Sequence, residues 1–552
     1  MFLDSHMDIF DSLRSTFMLS FVVFVFSFLL AISPVNGAQS FPVYRVNQLD
    51  IGGSTYGSRN TKVNMEARVV NSGSATRKCI VTKLNEFSLA AYHHLVESNA
   101  GAIMILLPSD LDQLSADEQE QFINIEKLML TEEIELPVYF AIETEEVVDI
   151  YSRIRSSANA DMSVTATEAL LNSVSSNGFQ MNVHTSTSKP IEKYKTINLH
   201  GLLEGNGNAE RLSTVMFVAH YDAMGIAPGL AKGADSNGSG VAALLELMRV
   251  FSRLFHSSSR PNYNLVFLLS GSGKLNYFGT KKWLEEMKDS NKFPYLNEVE
   301  SVVCLDSIGG DVSKLYVHIS KPPKAGSANA NILESLKKVA AVQGLSVEIV
   351  HKKIFLGDPQ LAWEHEQFAM NKLTGMTLST FDSHRSPYRT SVLDSRSRVK
   401  AEHLTEKVQV IGEAICQHMF SVPSQNFSEA SVNILSEDLA VQRSMVTAWL
   451  DLLTSESRSA QFLDSSSSVV NSLEQAFHRH LKSVGRTNYL CDKREPEFVL
   501  FDSMVETMHV YSVKPAIFDL LLAIIIAAYL GGIYLISLTY PTIAVTLMNK
   551  PK

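Results

Sequence analysis

The chain contains the segment Thr214-Val-Met-Phe-Val-Ala-His-Tyr-Asp222, followed by Gly233-Ala-Asp-Ser-Asn-Gly-Ser-Gly-Val241. The run from Thr214 to Ala219 is short and apolar, which predicts a buried strand. After the glycine-rich turn, apolar residues recur at helical spacing as far as Phe251. This stretch therefore predicts a strand, a loop and a helix, with His220 at the carboxyl end of the strand.

Two more apolar runs, Asn264 to Leu269 and Ser301 to Leu305, predict further buried strands. Helices are predicted at Lys281 to Met287 and Ala328 to Val342, and a later strand at Gly375 to Thr380. Alternation of strands and helices is typical of an α/β fold with a largely parallel sheet covered on both faces, and such sheets place ligands beyond the carboxyl ends of their strands.

The residues at these strand ends resemble signatures of the M28 zinc peptidases. His220-Tyr-Asp222 and Gly-Ala-Asp235-Ser-Asn-Gly-Ser-Gly are similar to the family's His-x-Asp and Gly-Ala-x-Asp-x-x-x-Gly patterns. Asp306 and Ser383-His384 are similar to its strand-terminal Asp and terminal His. The resemblance implies an M28 aminopeptidase-like fold in which His220, Asp235 and Asp306 form one complete set of zinc ligands.

The second zinc site of that family is broken in this sequence. Its ligands map onto Asp235, Lys274 and His384, and a lysine ammonium has no lone pair to donate to a metal. The glutamate that serves as general base maps onto Gly273, which has no side chain. The resemblance implies no catalytic residue and a degenerate site made of His220, Asp222, Asp235, Gly273, Lys274, Asp306 and His384.

Charge suggests a role for Lys274. Without a bound cation, Asp222, Asp235 and Asp306 would repel one another in a partly desolvated pocket, which raises carboxylate pKa values and destabilises the fold. We therefore expect the Lys274 ammonium to stand in for the missing zinc.

An alternative stays open for the intact ligand set. His220, Asp235 and Asp306 would hold a single zinc, with Asp222 orienting His220. Such a site would support an M28-type hydrolase, aminopeptidase or cyclase that recruits its base elsewhere, for which the acidic residues of Glu364-His-Glu366 are the candidates.

Both ends of the chain carry apolar segments. Residues 17–32, followed by small residues up to Ala38, predict a signal peptide at 1–37, although the acidic flank before it leaves an uncleaved anchor open. Leu520 to Leu538 is long enough to span a bilayer, which predicts a transmembrane helix at 517–540 and a cytosolic tail at 541–552. These segments predict a single-pass type I membrane protein with its bulk in the secretory lumen.

The lumenal location makes two sequons meaningful, and it predicts glycans on Asn237 and Asn426. Residues 38–170 predict an N-terminal α+β module that resembles a protease-associated domain, ahead of the M28-like domain at 171–425. Residues 426–514 predict a juxtamembrane lumenal region of helices and strands. The net charge of −10, without a basic cluster, argues against a nucleic-acid partner.

This combination of segments resembles the nicastrin-related family of M28-like pseudoenzymes, and the sequence around His220 and Asp235 is more similar to its nicalin branch. The resemblance implies a cofactor-free, inactive scaffold subunit of the endoplasmic reticulum membrane, embedded in the lipid bilayer. It also implies three partners: a large lumenal membrane protein of the nodal modulator type, a small multi-pass membrane protein, and the translocon machinery for multi-pass proteins.

Overall fold

The computed structural model describes residues 39–70, 74–161, 178–184, 187–289, 293–311, 313–355, 357–358, 360–421, 434–492 and 494–513, with some residues between 520 and 534. The predicted signal peptide, the cytosolic tail, Asn426 and most of the predicted transmembrane span lie outside the described residues. None of the helices in the described part of the chain combines the length and apolar character needed to cross a bilayer.

The described residues form strands that belong to three sheets, and helices that pack mainly around the largest sheet. The strands are β1 Gln39–Arg45, β2 Gln48–Ile51, β3 Ser54–Ser58, β4 Val63–Val69, β5 Cys79–Lys83, β6 Ala102–Leu107, β7 Glu133–Ile134, β8 Val138–Ile142, β9 Gly178–Val183, β10 Thr196–Leu203, β11 Thr214–His220, β12 Asn264–Ser270, β13 Val299–Leu305, β14 Lys314–Ile319, β15 Ser346–His351, β16 Gly375–Ser379, β17 Ser483–Tyr489, β18 Phe498–Leu500 and β19 Val505–Val513. The α-helices are α1 Leu89–Glu97, α2 Ala116–Thr131, α3 Glu145–Asp161, α4 Gly240–Phe255, α5 Phe278–Asp289, α6 Ala328–Val342, α7 His365–Met370, α8 Ala401–Met419, α9 Arg443–Ser455 and α10 Ser468–His480.

The central sheet has the strand order β15-β14-β16-β13-β11-β12-β10-β17. Its middle strands, β12, β11, β13 and β16, run parallel to one another, as do β14 and β15. The pairs β14 with β16, β10 with β12 and β10 with β17 are antiparallel. The predicted α/β fold is confirmed, and the sheet is mixed, with its parallel part at the centre.

Helices cover both faces of this sheet, which explains why its central strands are apolar throughout. Every residue of β11 and β12 is buried. On one face, Phe217 stacks between Phe251 of α4 and Phe267. On the other face, Trp283 of α5 joins the apolar cluster that includes Val218. This packing fixes the strand ends where the predicted site residues lie.

The N-terminal module is a closed barrel with the order β1-β19-β9-β4-β5-β6-β8. The late strand β19 pairs with β1 and with β9, and closure removes exposed strand edges. The predicted boundary at residue 170 is therefore displaced, because β9 belongs to the barrel.

The region predicted as a juxtamembrane unit at 426–514 does not form a separate sheet. Its three strands complete three different sheets: β17 pairs with β10 in the central sheet, β19 closes the barrel, and β18 pairs with β2 in the small sheet β18-β2-β3-β7. The predicted domain boundaries therefore cut through units that fold together.

Candidate functional site

The predicted site residues meet at the carboxyl ends of the parallel strands. His220 is the last residue of β11, Ser270 is the last residue of β12, and Asp306 follows β13 directly. All three residues are fully buried. Parallel strands bring their carboxyl ends to one edge of a sheet, so the fold places the predicted residues His220 and Asp306 at the same edge, together with Ser270.

Asp222 holds the loop that carries the two substituted positions. One of its carboxylate oxygens accepts a hydrogen bond from Gly273 N at 2.6 Å, and the other accepts from Lys274 N at 2.9 Å. Both oxygens are therefore directed at the backbone of this loop rather than at His220. The expected role of Asp222 in orienting His220 is replaced by a role in shaping the loop.

Gly273 leaves no room for a side chain. A Cβ atom placed at this position would lie 2.2 Å from His220 Cβ and 2.3 Å from His220 Cγ. In a close-packed interior such an overlap forces neighbouring groups to move. The structure thus leaves no space for a side chain at Gly273, the residue that the resemblance places at the position of the general base.

The charge of Asp306 is balanced by Arg389, a residue that the sequence analysis missed. Arg389 Nη2 donates a hydrogen bond to Asp306 Oδ2, and Ser307 Oγ donates to Oδ1 at 2.7 Å. Burial alone would raise the pKa of Asp306, but the charges of Arg389, His220 and Lys274 outweigh burial and hold this pKa well below its usual range. Asp306 is therefore an ionised carboxylate already paired with a cation.

The surrounding protein fixes the Arg389 guanidinium. It donates hydrogen bonds to the Tyr277 hydroxyl at 3.1 Å and to Ala362 O at 3.3 Å, and it lies 4.3 Å from the centre of the Trp363 ring. Burial would lower the pKa of Arg389, but Asp306 and Tyr277 raise it above its usual value. A planar, permanently charged guanidinium suits such a stacked and paired position.

Lys274 lies beside this pair, and its ammonium donates a hydrogen bond to a hydroxyl rather than to a carboxylate among the described residues. Lys274 Nζ donates to Ser236 Oγ at 2.6 Å. Burial, together with the charge of Arg389, lowers the pKa of Lys274 to about 8, against the opposite effect of Asp306 and Asp222. The expectation that Lys274 replaces zinc is therefore corrected, since the cation that pairs directly with Asp306 is Arg389.

Asp235, the residue predicted as the bridging ligand, is engaged by the protein itself, and the Asp of the Gly-Ala-x-Asp pattern falls one residue later, at Ser236. Its Oδ1 accepts hydrogen bonds from Ser239 Oγ and Gly309 N, both at 2.7 Å. Its own N–H donates to Asp394, which also accepts from Ser236 N at 2.7 Å. Burial and then the charge of Asp235 raise the pKa of Asp394 to about 7, and burial raises the pKa of Asp235 as well.

His220 lacks a hydrogen-bond partner for either ring nitrogen among the described residues. Its Nδ1 lies 3.5 Å from Glu364 Oε2, which is likewise buried without a partner in this part of the chain. Glu364 Oε1 accepts hydrogen bonds from Ser270 and Thr280, each at 2.6 Å. Of the two acidic residues considered as alternative bases, Glu364 therefore lies next to His220, whereas Glu366 accepts a backbone hydrogen bond from its own segment.

His384 lies on the wall of a neighbouring cavity. Its Nε2 is 3.4 Å from Lys352 Nζ. Burial, together with the charges of Lys352 and Arg389, lowers the pKa of His384 to about 4. The two residues mapped to the second zinc site therefore do not form ligands. Lys274 donates to a hydroxyl, and His384 lies beside Lys352.

These contacts test whether zinc fits the residues present. A protein zinc site needs three or more nitrogen, sulfur or carboxylate donors that converge on one point. In the described ranges, no group of three or more His, Cys, Asp or Glu side chains is placed to hold a metal ion. With Asp306 paired to Arg389 and Asp235 bonded to Ser239 and Gly309, the residues do not fit the single zinc site considered for His220, Asp235 and Asp306.

Asn237 is a structural residue of the same loop. It is fully buried, and its Nδ2 donates hydrogen bonds to His220 O and Leu305 O, each at 2.9 Å, while its Oδ1 accepts from Ser307 N. A glycan is attached through this nitrogen and must reach solvent. The geometry therefore contradicts the predicted glycan at Asn237, because the folded protein uses the amide to tie two strand ends together.

A cavity of about 570 Å³ opens in front of the site. Its walls include α2 of the barrel module, the loop around Lys274 and the segment from His384 to Thr390. Glu126 connects α2 to the segment that follows Thr390, because its carboxyl accepts hydrogen bonds from Ser391 Oγ and from Val392 N. The barrel module thus forms one side of the cleft.

Comparisons with known proteins agree with this geometry. The profile of Peptidase family M28 matches residues 198–413. The crystal structure of the gamma-secretase component nicastrin superposes with a TM-score of 0.61 at 12% identity, and the match covers 85% of this chain and 99% of that one. Fold and site together define a protein of the M28-peptidase-like class.

Two relatives place the chain within that class. The BOS complex subunit ncln of Danio rerio is 42% identical over 546 residues, which cover 95% of this chain and 94% of the relative. Nicalin of Caenorhabditis elegans is 30% identical over 558 residues, which cover 96% of each chain. The chain belongs to the nicalin family.

Proposed function

We propose that this protein is a catalytically inactive scaffold subunit of an endoplasmic reticulum membrane complex. In this role, its peptidase-like lumenal body assists the assembly and stabilisation of partner membrane proteins during multi-pass protein biogenesis at the translocon. The naming of vertebrate relatives as BOS complex subunits supports membership of a complex. The proposed partners are a nodal-modulator-type protein, a small multi-pass membrane protein and translocon components.

The main observation in support of an inactive site is the pairing of Arg389 with Asp306. Hydrolysis by an M28-type centre requires metal-bound water and a carboxylate that removes its proton. Here a guanidinium binds the carboxylate that would bind the metal, and Gly273 stands where the base is required.

A hydrolase or cyclase that uses Glu364 as its base is the second candidate, favoured by the ring nitrogens of His220, which lack hydrogen-bond partners among the described residues and lie beside Glu364. The two functions differ in turnover. We expect the purified full-length chain to show no release of 4-nitroaniline from a panel of aminoacyl-4-nitroanilides, in parallel with an active M28 aminopeptidase as the positive control. Turnover that disappears in Glu364→Gln would establish the hydrolase instead.

The scaffold role is tested by purifying the tagged full-length chain from membranes in mild detergent. Mass spectrometry should recover a large lumenal membrane protein and a small multi-pass protein in fixed ratios to the chain. Recovery of the chain alone, from detergents that preserve a known membrane complex purified alongside it, would contradict the proposal.

A further inference from the structure

The cavity in front of the site has a positive lining. Four cationic and two acidic side chains line it: Lys127, Lys274, Arg385, Arg389, Glu126 and Asp358. The carboxyl of Glu126 is buried and turned toward Ser391 and Val392, and burial raises its pKa to about 8. Because Arg389 is already paired with Asp306, the remaining cations Lys127, Lys274 and Arg385 face Asp358 and the buried Glu126, and the lining keeps an excess of positive charge.

Lys274 presents unused hydrogen-bond donors to this cavity. An ammonium has three N–H donors, and among the described residues the Lys274 ammonium donates one hydrogen bond, to Ser236 Oγ. A carboxylate bound in the cavity would accept from the others in a charge-assisted hydrogen bond and offset the burial of the ammonium. Lys127 and Arg385 are exposed at the rim, where their charges attract an approaching anion.

The size and the remaining lining favour a peptide over a small ion. The cavity measures about 570 Å³, which lies within the ordinary range of pockets that enclose organic ligands. Apolar side chains, among them Leu130, Leu361 and Pro387, line its walls together with the charged ones. Such a lining contacts the aliphatic parts of a short peptide while the cations contact its carboxylates.

We propose that this cavity binds an acidic peptide segment, with a carboxylate on Lys274 and further attraction from Lys127 and Arg385. The inference rests on the proposed function, since a peptide bound in the cavity stays intact only if the site does not hydrolyse it. In this proposal the cleft recognises a negatively charged ligand, whereas a metal site at the same place would bind a cation.

The test uses the full-length chain in detergent and a fluorescein-labelled, carboxyl-amidated hexaglutamate peptide, with fluorescence anisotropy as the readout. We expect Lys274→Met to weaken binding at least about tenfold, because it removes a partly buried hydrogen-bonded charge. Arg385→Gln should weaken binding about threefold, as for an exposed charge, and leaves the core untouched. Lys482→Met is the matched control, because Lys482 precedes β17 at the opposite end of the sheet.

Equal affinities in the Lys274→Met, Arg385→Gln and Lys482→Met proteins would overturn the inference, provided that their thermal unfolding shows folded chains. So would equal binding of labelled hexalysine, or full displacement of hexaglutamate by inorganic phosphate at equal concentration. The two proposals fail separately. A chain that captures membrane partners but not the peptide contradicts this inference alone, and a chain that hydrolyses aminoacyl substrates contradicts the proposed function.

Discussion

The inner and outer parts of the site have departed from the M28 pattern in different ways. The inner part keeps the carboxylates Asp235 and Asp306 but gives each a protein partner in place of a metal. The outer part has Gly273 and Lys274 where the M28 resemblance predicts carboxylates, and the loop at Gly273 leaves no room for a side chain. The difference teaches that each buried carboxylate of the inner part is compensated by the protein itself, Asp306 by a fixed cation and Asp235 by hydrogen-bond donors.

The largest expected effect comes from removing the inner cation. Arg389→Met leaves Asp306 buried without its partner, and we expect it to lower the free energy of unfolding by about 3–5 kcal/mol. The measurement is chemical denaturation of the full-length chain in detergent. The double variant Arg389→Met/Asp306→Asn should recover most of this loss, and a double variant as unstable as Arg389→Met would show that the charge pair is not responsible.

The closed loop predicts that the general base cannot be restored by one substitution. Gly273→Ala already places a Cβ atom against His220, so we expect a loss of about 1–3 kcal/mol in stability from overpacking. Gly178→Ala is the control, because a Cβ there makes only ordinary contacts at 3.5 Å or more. Equal stability of the two variants would mean that the loop opens easily. Gly273→Glu should likewise produce no peptidase activity.

The contact between the barrel module and the site should depend on pH through Glu126. Its pKa is raised by burial to about 8 in the folded chain, so the folded state holds a proton that the unfolded state releases from about pH 4.5. The stabilisation from protonated Glu126 is therefore lost as pH rises through 8, by about 1 kcal/mol between pH 7 and 8.

The measurement is the midpoint of thermal unfolding at pH 6 to 9. Glu126→Gln keeps a neutral side chain and should flatten the decline above pH 7, whereas Glu120→Gln, an exposed residue of the same helix α2, should not. Parallel pH profiles for the wild-type protein and Glu126→Gln would contradict this assignment.

The smallest effect is expected at Lys274, which sharpens the contrast with Arg389. Its ammonium bonds to Ser236 Oγ and pairs directly with no carboxylate among the described residues. Lys274→Met should therefore change the free energy of unfolding by no more than about 1 kcal/mol at neutral pH. A loss as large as that of Arg389→Met would restore the hypothesis that Lys274 replaces a metal ion.

The sequence predicted the part of the fold that local patterns encode. β11, β12 and the second half of β13 are continuous apolar runs bounded by polar residues, which identifies them as buried strands, and their ends locate the site. The partners of β17, β18 and β19 were not predicted, because a local pattern does not specify which distant strand completes an edge.

The sequence predicted where the site residues lie, but it did not predict which residues they contact. The M28-like motifs located His220, Asp235 and Asp306, but Arg389 lies 83 residues from its partner Asp306 and outside the motifs on which the sequence prediction rested. The only feature of the sequence that could have pointed to Arg389 is its position a few residues after His384, as a cation close to a predicted site residue. Similarly, the sequon at Asn237 does not reveal that its amide is buried between two strand ends.

The zinc content of the purified chain tests the central claim most directly, namely that the protein's own cation has replaced the metal at Asp306. The full-length protein should be purified in detergent without chelators, incubated with zinc, desalted and analysed by elemental mass spectrometry. We predict far less than stoichiometric zinc, with no change in His220→Ala. Stoichiometric zinc that is lost in His220→Ala would contradict the account.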